Sequence, residues 1–533
     1  MSATPSFPGG RAMADAVREL YSEGQTDYSL EPIVLTGGDG GPVGRIAEGD
    51  SVVFCCRRGE REVQLTEAFT QQGAGGIRWG VPEDLRFVLL TLYHGKFAGL
   101  PVAFAPSRMG DTLAELVSRA GLSQRHVSES EKFAHVTFFL NGGNNQPFAG
   151  EEDTCVPSPR GVPFDRVPEL SLPGVARAVA AAVEERQDLI VTNFANGDVI
   201  GHTTNNAAKI RCAELVDEHL GRVVRAAMAA GYVVFVTADH GNLERTSGPD
   251  GKPDVSHTTN PVPFLLIDPR AAGRPTLTPD GVLADVAPTV LRALRVGQPE
   301  AMKGKDLAPG HDYGGRRRVL LLILDGWGIG AQDETNAIFL ARTPVWDGLL
   351  RAHAVTELRA SGEAVGLAAG KAGNSEAGHL NIGAGRVVPQ DDVRLDRAMR
   401  DGSFRANEIL CGAIDRAIQK KAKLHLIGML TEKSSHGSIE YPLALLGMAR
   451  ERGLEDAFLH LIFDGRSTEP GSAPALLAAL DNRMAEIGIG RIATGAGRAF
   501  ALDRGGDYGR TKRVFDALVD GTGRRFPGGP HGL

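Results

Sequence analysis

Val233-Val-Phe-Val-Thr237-Ala-Asp239-His240-Gly-Asn242 is the stretch on which the fold turns. Its apolar, mostly β-branched residues lead through Thr237 and Ala238 to an acid, an imidazole and a glycine, the pattern of a buried parallel strand that stops at polar groups. In an open α/β sheet ligands bind beyond the carboxyl ends of the strands, so Asp239 and His240 stand where chemistry is expected. The blander reading is a strand followed by a helix-capping Asp and a chance His.

Two further stretches shift that balance. Leu189 to Phe194 (LIVTNF) runs into Asp198 and His202, and Val319 to Leu324 (VLLLIL) runs into Asp325-Gly-Trp-Gly. Three buried strands thus deliver an acid just past their last apolar residues. Uncompensated buried carboxylates are costly, and divalent cations would compensate them. A mixed Asp/His set suits Mn, Zn or Co better than Ca. His257, in Ser256-His257-Thr-Thr-Asn260-Pro before the strand Val262 to Ile267, is a further imidazole candidate.

The 533 residues suffice for two domains or more, and 42% hydrophobic content is ordinary for a soluble globular chain. A net charge of -7 disfavours nonspecific nucleic-acid binding. The apolar run at 319–324 is far too short to span a bilayer, and MSATPSFPGGRAM lacks the regions of a secretory signal. No membrane role and a cytoplasmic location are the expectations. The five cysteines show no zinc-site spacing and read as reduced thiols.

Along the chain, the strand Val52 to Phe54 empties into Cys55-Cys-Arg57-Arg58-Gly-Glu-Arg61, where anion binding is favoured over a solvated charged face. Glu131 to Phe139 reads as a strand with Lys132 at its start, an edge residue in the usual case. The Gly- and charge-rich segment 308–318 reads as an exposed linker. Ser375, in Gly373-Asn-Ser375-Glu376-Ala-Gly-His379, stands among small residues at a helix start, which offers a nucleophile N–H donors and dipolar help with a phosphate. An N-cap serine is the ordinary alternative. Residues 389–533 alternate helices and strands, and His436, Asp464-Gly-Arg466-Ser467, Arg498, Arg504 and Arg510 cluster at or just past strand ends, as binding of a small polyanion would require.

Together these motifs resemble the cofactor-independent phosphoglycerate mutases of the alkaline phosphatase superfamily. The resemblance rests on Asp325-Gly-Trp-Gly, Gly373 to Arg386, Glu131-Lys132-Phe-Ala-His135-Val-Thr, Asn193 to Thr203, Thr237-Ala-Asp239-His240-Gly-Asn-Leu-Glu244 and His257-Thr-Thr-Asn-Pro. It covers nearly the whole chain in rotated order, because the Asp325 strand opens those proteins while the Asp239 stretch lies near their end. The resemblance therefore implies a circularly permuted α/β protein of two domains. A phosphatase-like metal domain would span 134–388, with 306–318 joining the old termini, and a transferase-like domain would be built from 1–133 and 389–533.

It further implies one ion held by Asp198, His202 and His257 and a second by Asp325, Ser375, Asp239 and His240, with Mn2+ expected ahead of Zn2+, Co2+ or Mg2+. Ser375 would be the nucleophile. Substrate, a small phosphorylated carboxylic acid, would be held by His436, Arg466, Ser467, Arg498, Arg504, Arg58, Arg61 and Lys132. A monomer is expected.

The chain departs from the family where the acceptor is handled. Ser467 replaces an Asp placed to move the substrate hydroxyl's proton, and serine cannot act as a carboxylate base near neutral pH. Arg160 stands for a Lys, Arg57 for an aromatic, and the loop Lys433-Ser-Ser-His436-Gly-Ser438 has lost one His. Mutase activity on phosphoglycerate is the leading expectation. Its alternative is a specialised paralogue that moves another phosphoryl or phosphonyl group onto a phosphoglycerate-like acceptor in secondary metabolism, and a noncatalytic binding protein is a third.

Overall fold

The computed structural model describes residues 9–57, 61–71, 76–105, 109–248, 251–432, 434 and 436–527. Arg58, Lys433 and Ser435 lie outside the described residues. The chain divides into two compact units, Met1–Pro106 with Arg394–Leu533, and Ser107–Val393.

The second unit carries a mixed sheet. Val319–Leu324 lies at its centre, hydrogen-bonded in parallel to Leu189–Phe194 on one side and to Val233–Thr237 on the other. All three strands are buried throughout, which is why their sequences run apolar without alternation. Gln124–Glu129 and Glu151–Val156 extend the sheet in parallel beyond Leu189–Phe194. On the other flank, Val262–Ile267 runs antiparallel to both Val233–Thr237 and Ala354–Arg359, and Gly281–Val282 closes that edge in parallel with Ala354–Arg359. The amphipathic helix Asn206–Ala229 buries Cys212, Leu215, Val216, Leu220, Val223 and Val224 against the core, as its spacing predicts.

Three expectations are corrected here. The strand expected over Glu131–Phe139 is instead Gln124–Glu129, and His135–Phe139 forms a π-helical turn. Gln124–Glu129 escaped a hydrophobicity reading because it buries Gln124, His126, Ser128 and Glu129 and has one aliphatic residue, Val127. Its pairing in this sheet also places the unit boundary at 106/107, not 133/134, and the other boundary at 393/394, not 388/389. Finally, the segment 306–318 is anchored through Leu307, Ala308, Tyr313 and Arg317, while Pro309, Gly310, Asp312, Gly314 and Arg316 are exposed as expected. Buried Arg317 donates from Nη1 to Asp268 at 2.9 Å, His311 Nε2 lies 3.0 Å from the same carboxylate, and Arg292 bonds the carbonyls of Pro309 and His311.

The first unit has its own sheet, in the order Arg524–Pro527, Ile33–Thr36, Arg491–Gly497, Ala457–Phe463, Leu424–Leu430, Ser51–Phe54, Arg86–Thr91, Val102–Phe104. Only the pairing of Ile33–Thr36 with Arg491–Gly497 is antiparallel among the described strands. Strands from both chain ends therefore interleave.

A buried polar chain crosses this sheet. Asp50 Oδ2 lies 3.0 Å from His425 Nε2, His425 Nδ1 is 2.9 Å from His460 Nε2, and His460 Nδ1 is 2.9 Å from Thr494 Oγ1. Burial lowers the pKa of His425 despite Asp50, and lowers that of His460 further, with His425 adding to it. A folded-state pKa below the unfolded value of about 6.5 means a contribution fully present above that pH and lost as the pH falls toward the folded value. The melting temperature should therefore drop more steeply between about pH 6.5 and about pH 5 in the wild type than in His460→Gln. Equal slopes in calorimetric scans across that window would refute it.

Candidate metal centre and anion-binding residues

The cluster in the second unit is assembled from three strand ends and one helix start. Asp325 follows the central strand, Asp239 and His240 follow Val233–Thr237, and Asp198 sits in the short helix Asn196–Gly201 after Leu189–Phe194. Gly326 turns the chain with φ 71, and a Cβ there would meet the Asp198 backbone nitrogen at 2.7 Å. Ser375 opens the helix Ser375–Ala384, capped by the Asn374 side chain, which accepts from Ala377 N at 2.8 Å. A Cβ on Gly378 would strike the Asp239 carbonyl at 2.6 Å, so glycine is what lets this helix close onto the strand end.

Lys132 lies at the centre of the cluster and is buried. Its Nζ donates to Asp198 Oδ2 at 2.7 Å, Asp325 Oδ1 at 2.8 Å and Ser375 Oγ at 2.6 Å. The edge role expected of a strand-start lysine is overturned, because Lys132 follows a strand end and points inward. Ser375 Oγ is also 2.9 Å from His240 Nε2 and 3.1 Å from Asp325 Oδ1.

Two ligand groups emerge in this cluster, Asp198 with His240 and His257, and Asp239 with His240 and Asp325, each with its ligand atoms within 4.8 Å of one another. His202 adjoins the first, its Nε2 3.3 Å from Asp198 Oδ1. Imidazole geometry shows that these residues suit a metal. Nδ1 of His202 is 2.7 Å from the Val255 carbonyl, Nδ1 of His257 is 2.8 Å from that of Gly373, and Nδ1 of His240 is 3.3 Å from that of Gly241. A carbonyl only accepts, so each Nδ1 carries a proton and each Nε2 is the ring atom turned to the cluster, the orientation in which a histidine ligates a metal. The Nε2 atoms of His202 and His257 face each other at 3.0 Å, an arrangement that a shared cation makes favourable. Among the described residues Asp239 Oδ2, fully buried, has no hydrogen bond of good geometry, with His379 Nδ1 at 3.3 Å and His240 Nε2 at 3.5 Å its nearest ionisable neighbours.

Electrostatics keep the acids in ligand form. Burial pushes the carboxyl of Asp198 up, but Lys132 and hydrogen bonds from His202 and His257 outweigh it and hold it well below the carboxylate range. Asp239 is likewise depressed, burial being overcome by His240 and His379. Burial lowers the pKa of His240, yet Asp239 and its neighbours raise it to about 9, so an ion bound at Nε2 would take the place of a proton those carboxylates favour there.

Several participants carried no signal of their own. Asn193 Nδ2 donates to Asp325 Oδ2 at 2.6 Å and approaches His379 Nε2 at 3.0 Å. Glu244 accepts from Asn242 N at 2.8 Å, Gly328 N at 3.1 Å and Asn260 Nδ2 at 2.9 Å, tying three loops together. Both lie inside motifs quoted above, but only packing reveals what they hold.

In the first unit the candidate cations fall into separate settings. Buried Arg498 is ion-paired with Asp464, whose other oxygen accepts from the Ser467 amide at 3.2 Å. Arg466, Ser467 and Arg504 are exposed. His436 is buried with Nδ1 2.8 Å from Glu62 Oε1, a carboxylate 374 residues away in sequence, which no local pattern could have supplied. Arg61 is buried and donates to the Leu502 carbonyl at 3.2 Å. Arg57 is committed to structure, donating to Tyr441 Oη and the Ser434 carbonyl, each at 2.6 Å.

Among the described residues, no helix is long and apolar enough to cross a membrane. Residues 47–298 match the family model of the metalloenzyme superfamily, and residues 395–528 match that of the BPG-independent PGAM N-terminus. A family's N-terminal model thus falls on this chain's C-terminal part, the order that permutation requires. The chain is 45% identical over 298 residues to the 2,3-bisphosphoglycerate-independent phosphoglycerate mutase of Moorella thermoacetica, covering 55% of this chain and 56% of that protein. It is 42% identical over 297 residues to the protein of the same name from Syntrophotalea carbinolica, covering 55% and 57%. A solved structure of Leishmania mexicana phosphoglycerate mutase at low cobalt concentration aligns at 28% identity and TM-score 0.41, over 51% of this chain and 52% of its own. Each match spans about half the length of the relatives concerned. The two family models and the relatives' shared name make the chain similar to the 2,3-bisphosphoglycerate-independent phosphoglycerate mutases and to the metalloenzyme superfamily, with the matched parts in exchanged order.

Proposed function

We propose that the chain is a two-metal phosphotransferase that moves a phosphoryl group through a phosphoserine at Ser375, on 3-phosphoglycerate and 2-phosphoglycerate or a close relative. The observation that carries this reading is Ser375 Oγ at a helix N-terminus, 2.6 Å from Lys132 Nζ and 2.9 Å from His240 Nε2. In this reading Asp198, His202 and His257 hold one ion, and Asp325, Asp239, His240 and Ser375 the other, with Mn2+ the expected metal. Bound there, the ions supply positive charge to the phosphoryl oxygens and lower the pKa of the serine hydroxyl.

Oγ attacks phosphorus, the new O–P bond forms as the ester oxygen leaves, and that oxygen takes up the proton Ser375 gives up. The acceptor hydroxyl then attacks the phosphoserine and returns a proton to Oγ. Lys132 steadies the charge on Oγ through both halves, and the Nδ1 contacts of the histidines keep their rings in place. His436, Arg61, Arg498, Arg466 and Arg504 supply the cationic contacts for substrate, together with Arg58. The protein is read as a cytoplasmic monomer. An enolase-coupled assay with 3-phosphoglycerate and Mn2+ tests this, with intact-protein mass spectra showing one phosphoryl group on Ser375. Absence of both across a series of metals would reject it.

Ser467 favours a second reading, a paralogue that transfers a different phosphoryl or phosphonyl group onto a phosphoglycerate-like acceptor. A positioned general base is worth about 10²-fold to 10⁴-fold. Under this reading the wild type shows weak mutase turnover, and Ser467→Asp raises it by about 10²-fold or more in the coupled assay. A wild type already fast, with the substitution neutral or harmful, would leave the plain mutase.

A further inference from the structure

A second constellation of metal-ligand type lies away from Ser375, at the outer edge of the same sheet. His126, Glu151 and Asp153 bring one ligand atom each within 4.8 Å of one another. The placement follows from strand register. His126 pairs with Asp153 and Gln124 with Glu151 across the parallel strands Gln124–Glu129 and Glu151–Val156, and alternation puts all four side chains on one face.

Hydrogen bonding fixes what this face presents. Gln124 Nε2 donates to the Ala114 carbonyl at 2.8 Å, which settles its amide orientation and leaves Oε1, an acceptor only, 3.3 Å from His126 Nε2. The His126 proton therefore sits on Nε2. Among the described residues Nδ1 is left as a lone pair without a hydrogen-bond partner, in a side chain with no exposure and 3.3 Å from Glu151 Oε1. A lone pair aimed at a carboxylate oxygen repels it unless something positive lies between them.

The carboxylates lack a counter-ion too. Among the described residues neither Glu151 nor Asp153 is paired with a lysine or arginine, and Asp153 Oδ1 is buried without a partner. Glu151 accepts from Asn141 Nδ2 at 2.7 Å and Phe148 N at 2.8 Å and also shares a side-chain hydrogen bond with Asp153, whose carboxyl burial pushes up to about 6. The Val136 carbonyl hydrogen-bonds the charged form of the His126 ring, the form that burial disfavours. Burial favours the neutral imidazole, as a metal ligand must be. The tautomer, with its far N–H on an amide oxygen, is the usual outer support of a ligating histidine.

We propose that His126 Nδ1, Glu151 and Asp153 form a third divalent-cation site, separate from the Ser375 cluster and of mixed nitrogen and oxygen character suited to Mn2+ or Zn2+. The site stitches the edge strand Glu151–Val156 to its neighbour and does not depend on the proposed reaction. The competing account is a proton shared between the two carboxylates, which binds no ion.

Equilibrium binding of Mn2+ alone, followed by electron paramagnetic resonance on the full chain, separates them. A chain carrying Asp198→Asn and Asp239→Asn, which disable the Ser375 cluster, is expected to keep one tight Mn2+ per chain. Adding Asp153→Asn should remove it. In the otherwise wild-type chain Asp153→Asn should lower bound Mn2+ by one and leave turnover unchanged. If the cluster-disabled chain binds no Mn2+, or Asp153→Asn removes none, the proposal is overturned. Should the multiple variant fail to fold, a wild-type chain holding no more than two ions overturns it alone.

Discussion

Ser375→Ala is expected to lose phosphoryl transfer by on the order of 10⁶-fold, the scale seen when the nucleophile of a covalent mechanism is removed. The hydroxyl is the one group in the cluster able to form a bond to phosphorus and break it again. It also touches Lys132, His240 and Asp325, and none of them depends on it for placement. Lys132 keeps Asp198 and Asp325 as partners, so the variant should melt with the wild type. Turnover within about tenfold of wild type, or phosphoryl capture elsewhere on the chain, would remove Ser375 from its role.

Stripping the divalent ions is the second large effect. Asp198, Asp239 and Asp325 are buried carboxylates facing one lysine and a set of imidazoles whose Nε2 atoms turn toward them. Any cation bound only by the folded state adds about 4 kcal/mol when present at 1,000 times its dissociation constant. That corresponds to a fall in melting temperature on the order of 10 °C when a chelator removes it, alongside complete loss of turnover. Restoring Mn2+ should recover both, and Asp239→Asn should blunt the recovery. A melting temperature and turnover indifferent to chelation would end the two-metal account.

What the sequence disclosed and what it hid differ for a physical reason. Val319–Leu324, Val233–Thr237 and Leu189–Phe194 are buried on both faces, so their composition alone announced them and the acids at their ends. Ser375, His202 and His257 were legible because they stand in specific local motifs. Gln124–Glu129 was not, since its buried positions are filled by polar side chains whose partners lie on other elements. The pairing of His436 with Glu62, and of Arg498 with Asp464, depends on how far-apart segments meet. Lys132 was misjudged for the same reason: its three contacts come from three different stretches of chain.

The strand order has a consequence for how the molecule is made. On the ribosome, Leu189–Phe194 and Val233–Thr237 emerge well before Val319–Leu324, the strand that must slot between them. Until then both neighbours present unpaired edges, and the first Asp/His sets have no Asp325 or Ser375 to complete them. The other unit waits longer still, because Ser51–Phe54 needs Leu424–Leu430 and Ile33–Thr36 needs Arg524–Pro527. The exchanged order thus leaves the continuous unit, 107–393, complete in mid-chain, while the unit built from both chain ends keeps open strand edges until translation reaches its last strands.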